Sequence, residues 1–91
     1  MMCFINTLQI LGENCFKNNK EYSGDFVGNP VQVDTRNDCV KACKAKSGCK
    51  FFSFRNRREC VLMKNQKNIN SNNGVVSGAI KDCETSNPGK N

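Results

Sequence analysis

Cysteine is the residue type whose number and spacing in this sequence predict chemistry. Seven cysteines occur in 91 residues, a density typical of small secreted domains held together by disulfides. Clustered cysteines can instead bind zinc, but zinc sites usually contain Cys-x2-Cys pairs or histidine, and this chain contains neither. We therefore expect structural disulfides, with no metal site and no cofactor.

Four of the cysteines lie within residues 35–64. Cys39 and Cys43 are four residues apart, so on a helix they face the same side. Geometry favours a nested pairing with the following segment, Cys43 with Cys49 and Cys39 with Cys60. The crossed pairing, Cys39 with Cys49 and Cys43 with Cys60, stays open because sequence alone does not determine connectivity.

The same stretch predicts a helix followed by a β-hairpin. Thr35 is placed to cap the helix and Asp38 to complete a capping box, while Gly48 marks its end after roughly three to four turns. The aromatic residues 51–54 predict a strand, and residues 60–63 predict the strand that returns beside it. Two disulfides would then pin the helix to this hairpin.

Further strands are predicted on both sides of this stretch. Their bounds are residues 22–27, 31–33 and 75–80. The polar residues 64–73 predict a loop that ends in an Asn-Gly turn. A bond between Cys15 and Cys83 would tie the two ends of the module together.

The phenylalanines of the aromatic run are expected to build the core. Phe52 and Phe54 share one face of their strand, and Phe51 points to the other. We expect Phe51 and at least one of the other two to be buried. An exposed phenylalanine near Leu62 or Met63 would instead indicate a protein interface.

The chain divides into three parts: an N-terminal extension or linker (1–14), a single module (15–83) and a polar flexible tail (84–91). Cys3 is the odd cysteine, either a free thiol or a link to a neighbouring module. No apolar run approaches the ~20 residues that a membrane span needs. The first residues are also a poor signal peptide, so we expect a piece of a larger secreted protein.

The net charge alone excludes few classes of function. The net charge of +6 fits either simple solubility or an anionic partner. The candidate ligand-binding residues are the basic side chains on and beside the hairpin and the single tyrosine: Lys50, Arg55, Arg57, Arg58 and Tyr22. Arginine suits sulfate oxygens, and a tyrosine ring can stack on a sugar. Catalysis is not expected, because the chain has no histidine and its cysteines are expected to be oxidised.

The order and spacing of these residues resemble a PAN/apple domain. The matching motifs are Cys15-Phe16, Tyr22-x-Gly24, Asp38-Cys39-x3-Cys43, Gly48-Cys49-x-Phe51-Phe52-Ser53-Phe54, Cys60-x-Leu62-x-Lys64, Val76-Ser77-Gly78 and Cys83. Within that family the chain is most similar to the apple modules of apicomplexan microneme adhesins, which occur in tandem.

This resemblance implies an α+β fold, a five-stranded antiparallel β-sheet with one α-helix packed on it. It also implies nested disulfides: Cys15–Cys83, Cys39–Cys60 and Cys43–Cys49. The implied function is a non-catalytic adhesion module, secreted through a microneme-like organelle, that binds a host-cell receptor or a partner adhesin. The alternative is a lectin module that binds galactose-type sugars or sulfated glycosaminoglycans. Nucleic acid binding and membrane insertion are not expected.

Overall fold

The structure of the protein is a computed structural model, and it describes residues 14–83. The predictions for the N-terminal extension with Cys3 and for the tail 84–91 lie outside the described residues. Within the described part, no helix is long and apolar enough to cross a bilayer.

The described residues form one five-stranded sheet, one main helix and a final helical turn. The elements are β1 (Lys17–Ser23), β2 (Val31–Gln32), α1 (Arg36–Ala45), β3 (Phe51–Arg55), β4 (Glu59–Met63), β5 (Asn68–Ala79) and α2 (Ile80–Cys83). The strand order is β1-β5-β3-β4-β2, and every neighbouring pair is antiparallel. The predicted α+β fold with a five-stranded antiparallel sheet is confirmed.

Helix α1 begins where the sequence predicts. Thr35 has extended backbone geometry, and its hydroxyl accepts a hydrogen bond from the Asp38 N–H at 3.1 Å. The helix ends at Ala45, earlier than the predicted stop at Gly48. The chain must turn back within a separation of six residues for Cys49 to reach Cys43. Gly48, at a φ of 87°, lies in that turn instead of closing the helix.

All three disulfides are nested, as predicted, and the crossed alternative is wrong. The Cα–Cα distances are 4.2 Å for Cys15–Cys83, 5.4 Å for Cys39–Cys60 and 5.3 Å for Cys43–Cys49. Cys39–Cys60 and Cys43–Cys49 lie between α1 and the sheet, and Cys15–Cys83 joins the two ends of the module. The half-cystines pack with Val40, Phe52 and Leu62 to form the main core.

A second, smaller core lies on the opposite face of the sheet and includes a residue of β1. Tyr22, Val61 and Met63 are buried there, and Phe51 packs against them while partly buried. Phe51 therefore belongs to the edge of this cluster, and Phe52 is the fully buried phenylalanine of β3. The aromatic run thus supplies core residues on both faces of the sheet: Phe52 is fully buried on one face, and Phe51 is partly buried on the other.

Two buried serines bring β1 close to β3 as well as to its partner strand β5. Ser53 and Ser77 have no exposed surface, and their hydroxyl oxygens are 2.6 Å apart. The Tyr22 N–H donates to both, at 3.0 Å and 3.2 Å, and the Ser77 hydroxyl donates to the Lys20 carbonyl at 2.8 Å. Small hydroxyl side chains thus bind a backbone segment that larger side chains would displace.

The sequence prediction was wrong for β1 and for the start of β5. Residues 64–73 do not form one loop, because β5 begins at Asn68 and pairs with β1, with Tyr22 opposite Ile69. The first strand spans Lys17–Ser23 instead of 22–27, and Phe26 makes only an isolated bridge to Met63. The first half of β5 is exposed on both sides, so its polar residues look like a loop in the sequence.

Candidate functional sites

The predicted basic cluster is divided by the structure. Arg55 ends β3, and Arg57 and Arg58 form the turn between β3 and β4. Lys50 precedes the first residue of β3, and five strand residues span about 17 Å. The structure therefore brings three arginines together at the tip of the hairpin and places Lys50 at the opposite end.

The three arginines of this hairpin tip lie among an equal number of carboxylates. Arg55 lies 3.3 Å from Glu21 and 3.8 Å from Glu59, and Arg58 lies 3.5 Å from Asp34. Arg57 forms no ion pair within the described part of the chain. Arg57 is therefore the arginine of the tip whose charge is available to a ligand.

The backbone of the tip has an unusual conformation for its sequence. Arg57 and Arg58 both have positive φ values, 68° and 62°, in the left-handed region that glycine or asparagine normally occupies. Neighbouring groups hold this conformation: the Gln32 side chain donates to the Arg57 carbonyl at 2.6 Å, and the Val33 N–H donates to the Arg58 carbonyl at 3.0 Å. The tip is thus fixed from the side of β2.

A polar pocket of about 240 Å³ lies on the other side of the tip, between the hairpin and β5; we call it the tip pocket. Its lining residues are Arg55, Asn56, Arg57, Glu59, Asn72 and Val75. A Cβ atom on Gly74 would lie 2.9 Å from the Asn56 amide oxygen, so the absence of a side chain there gives Asn56 its place. The pocket combines guanidinium, amide and carboxylate groups over one apolar residue.

A second pocket, of about 350 Å³, lies at the opposite end of β3. It is lined by Cys49, Lys50, Phe51, Ala79, Ile80 and Lys81. Its surface is mainly apolar, with one lysine on each of two neighbouring segments. Lys50 therefore belongs to a different environment from the three arginines with which it was grouped.

Tyr22 is not an exposed aromatic platform. Its side chain is 8% exposed, and its ring meets the Phe51 ring edge-to-face at 6.2 Å. Burial, and then the negative charge of Asp82, raises the pKa of the Tyr22 hydroxyl above its ordinary value. These contacts give no support to sugar stacking on this ring and assign Tyr22 to the second core.

Sequence reasoning missed an exposed apolar edge of the sheet. Phe26 is 69% exposed and Val31 is 37% exposed, and both lie along β4, opposite Met63 and Cys60. Phe26 was assigned to the interior of a predicted strand, so its exposure was not expected. The turn-forming residues 28–30 immediately after it were the signal that the chain leaves the sheet there.

Neither the tip pocket nor the apolar edge contains a nucleophile beside a general base. Within residues 14–83, no cluster of three or more metal-binding side chains occurs, and the six cysteines are paired in disulfides. What these sites offer is contact surface: hydrogen-bonding groups at the tip and apolar area at the edge.

A single helix packed on a five-stranded antiparallel sheet and joined to it by nested disulfides defines a small disulfide-stabilised α+β domain. The family model of the PAN domain matches residues 15–85, and the chain belongs to this family. PAN/apple domains are interaction modules, so the family supports a role in adhesion or interaction.

A solved structure with a similar fold is the solution structure ensemble of the two N-terminal apple domains of Toxoplasma gondii microneme protein 4. The TM-score is 0.66 at 22% identity, and the alignment covers 78% of this chain and 45% of that structure. The chain thus spans less than half of that two-domain structure. At this identity the similarity shows the fold, and it confirms the resemblance to microneme apple modules. A comparison with curated proteins finds no match.

Proposed function

We propose that the protein is a non-catalytic interaction module of a larger secreted adhesin, and that it binds a protein partner. The partner is a host-cell receptor or another adhesin of the same complex. Membership of the PAN family and the similarity to microneme apple domains support this class of function. The three disulfides suit an oxidising compartment, as the secretory route of such an adhesin provides.

The observation that carries the choice of a protein partner is the exposed Phe26. A phenylalanine that is 69% exposed leaves apolar area in water, and burying it fully would contribute about 1.5–3 kcal/mol. Aromatic anchors of this kind dominate many protein interfaces. Val31 lies along the same edge but pairs with Cys60 instead of Met63, so it faces the other side of the sheet, and the anchor is Phe26 alone.

The backbone on both sides of Phe26 is held by hydrogen bonds. The Asp25 N–H donates to the Asn65 side-chain oxygen at 2.8 Å, and the Asp25 carboxylate accepts from Asn65 and Lys67. On the other side of Phe26, the Val27 N–H donates to the Leu62 carbonyl at 2.8 Å. Because the backbone at Phe26 is already ordered, binding has to order little more than its side chain.

The test is binding of the fully oxidised protein to host-type cells, measured by flow cytometry. We expect Phe26→Ser to weaken binding about tenfold or more, equivalent to about 1.4 kcal/mol. Ile69→Ser is the matched control, because Ile69 is 53% exposed but pairs with Tyr22 of β1 and not with β4. Its binding should equal that of the unchanged protein.

The nature of the partner is tested on the same cells. Mild protease treatment of the cells should remove binding, whereas enzymatic removal of surface glycans should leave it unchanged. Loss of binding after glycan removal, with Phe26→Ser still active, would favour the lectin alternative and contradict a protein partner.

A further inference from the structure

We infer that the pocket at the start of β3, which we call the lysine pocket, binds a partner peptide in which a carboxylate lies next to an aromatic or large aliphatic side chain. The apolar side chain would enter the pocket, and the carboxylate would pair with Lys50 and Lys81, which line it. The inference rests on the proposed protein partner and names the chemistry of the segment that this partner presents.

The lining of the lysine pocket has room for one apolar side chain. Its volume of about 350 Å³ lies within the ~300–1,000 Å³ of ligand pockets, which are mostly apolar with a few polar groups. Phe51 and Ile80 are only half-buried there, so apolar surface stays in water until a ligand covers it. Ala79 is opposite Phe51, and its small side chain leaves space beside the phenylalanine ring.

The backbone around the lysine pocket is already ordered. The Lys50 N–H donates to the Met63 carbonyl at 2.8 Å, and the Lys50 carbonyl accepts from the Ile80 N–H at 2.8 Å. The disulfide between Cys43 and Cys49 fixes the segment just before Lys50. Because neighbouring groups hold this backbone, a ligand has to order little beyond the two lysine side chains.

Two positive charges at the lysine pocket have no carboxylate paired with them. Neither Lys50 nor Lys81 forms an ion pair with any residue between positions 14 and 83. The carboxylate closest to them in the sequence is Asp82, which does not line the pocket and whose charge acts on the Tyr22 hydroxyl. This distinguishes the lysine pocket from the hairpin tip, where the arginines lie among carboxylates, and it favours an anionic ligand.

The combination of an apolar lining with two cations selects one class of ligand. A small hydrated anion would gain from the lysines but leave the apolar surface in water. A purely apolar side chain would cover that surface but gain nothing from the lysines. A carboxylate beside an apolar side chain gains from both, because charge-assisted hydrogen bonds form while apolar area is buried.

The register of the sheet places the lysine pocket on the same face as Phe26. Met63 is opposite Phe26 on one side and Phe51 on the other, and Phe51 is in turn opposite Ala79. Directly paired residues point to the same face, and neighbouring strands lie about 4.8 Å apart, so Phe26 and Phe51 are separated by about 10 Å. One segment of a protein partner can therefore contact both, which favours a peptide over a free fatty acid as the ligand.

The experiment is an NMR titration of the isotope-labelled, oxidised protein with probes that separate the two parts of the ligand. N-acetylphenylalanine carries a carboxylate and a ring, N-acetylphenylalaninamide carries the ring alone, and N-acetylglycine carries the carboxylate alone. We expect saturable shifts of the Lys50, Phe51 and Lys81 signals with N-acetylphenylalanine. Its affinity should be about fivefold higher than that of the amide, and N-acetylglycine should give no saturable shift.

Glutamine variants make the titration specific. The double variant Lys50→Gln/Lys81→Gln removes both proposed partners of the carboxylate. Lys41→Gln is the matched control, because Lys41 is an exposed lysine of α1 that does not line the pocket. All three lysines are exposed, so the variants should fold. We expect the double variant to bind N-acetylphenylalanine and its amide equally, and Lys41→Gln to keep the fivefold difference.

The link to a protein partner is tested by flow cytometry on the cells used for Phe26→Ser. The double lysine variant should weaken cell binding about fivefold, and Lys41→Gln should preserve it. Phe26→Ser should leave the N-acetylphenylalanine titration unchanged, because Phe26 does not line the lysine pocket.

Several results would overturn the inference. Equal affinity for N-acetylphenylalanine and its amide would show that the lysines do not select a carboxylate, and saturable binding of N-acetylglycine would show that the apolar lining is not used. Tighter binding of octanoate than of N-acetylphenylalanine, with cell binding of the double lysine variant unchanged, would indicate a fatty acid instead. A failed titration would leave the Phe26 test of the proposed function intact, and a failed Phe26 test would leave the titration interpretable.

Discussion

At the scale of single residues, the hydroxyl pair of Ser53 and Ser77 is the feature with the clearest energetic consequence. The buried Tyr22 N–H has two acceptors in this pair, so either serine can be replaced by alanine without leaving the donor unpaired. Each single variant should cost about 1 kcal/mol in the free energy of unfolding. The double variant should cost about 1–3 kcal/mol more than their sum, because the donor then has no acceptor. Chemical denaturation measures all three, and additive costs would contradict this network.

Two glycines differ in the reason why they are needed. A Cβ on Gly78 would collide with the Cys15 carbonyl oxygen and lie 2.8 Å from the Phe52 ring, whereas a Cβ on Gly48 meets nothing within 4 Å. Gly48→Ala should therefore cost only the strain of a positive φ, about 1–2 kcal/mol. Gly78→Ala should cost more and also impair formation of Cys15–Cys83, which a free-thiol assay would detect. Equal thermal stability of the two variants, with full oxidation of both, would contradict this contrast.

At the scale of elements, we expect the stability of the loop that presents Phe26 to depend on pH. The Asn65 hydrogen bond, followed by that of Lys67, holds the pKa of Asp25 below its ordinary value of 3.8. A carboxyl with a lowered folded-state pKa contributes stability above its unfolded pKa, and that contribution is lost as the pH falls through the folded value. The thermal stability of the unchanged protein should exceed that of Asp25→Asn at neutral pH, and the difference should shrink as the pH falls below the ordinary carboxyl value of 3.8. Asp34→Asn is the control, because it removes an exposed carboxylate whose ion pair with Arg58 should contribute little to stability at neutral pH.

Elements with local signals could be predicted from the sequence. Helix α1 has its cap at Thr35 and its paired cysteines one turn apart, and the β3–β4 hairpin has its aromatic strand. The β1–β5 pairing has no such signal, because Lys20 and Ser71 meet across 51 residues of chain. The tip pocket could not be predicted from the sequence either. Its arginines were identified as a cluster, but Glu21, which pairs with Arg55, is brought there by the same distant pairing of β1 with β5.

At the scale of the whole molecule, the disulfides should differ in what their removal costs. The chain-entropy model gives roughly 2, 3 and 4 kcal/mol for sequence separations of 6, 21 and 68 residues. Paired alanine variants should therefore lose stability in the order Cys43/Cys49, then Cys39/Cys60, then Cys15/Cys83. Thermal unfolding under non-reducing conditions measures this order. A larger loss for the Cys43/Cys49 variant than for Cys15/Cys83 would show that local strain or packing outweighs loop entropy.

The bond between Cys15 and Cys83 also determines how the domain responds to mechanical load. The Cα atoms of these residues are only 4.2 Å apart, so the chain enters and leaves the module at nearly the same point. A pulling force applied to both sides of the module passes through this one covalent link and bypasses the sheet. The intervening residues cannot be stretched out until the link is reduced. A string of such units would transmit traction between two surfaces without lengthening, while every fold along it stays unloaded.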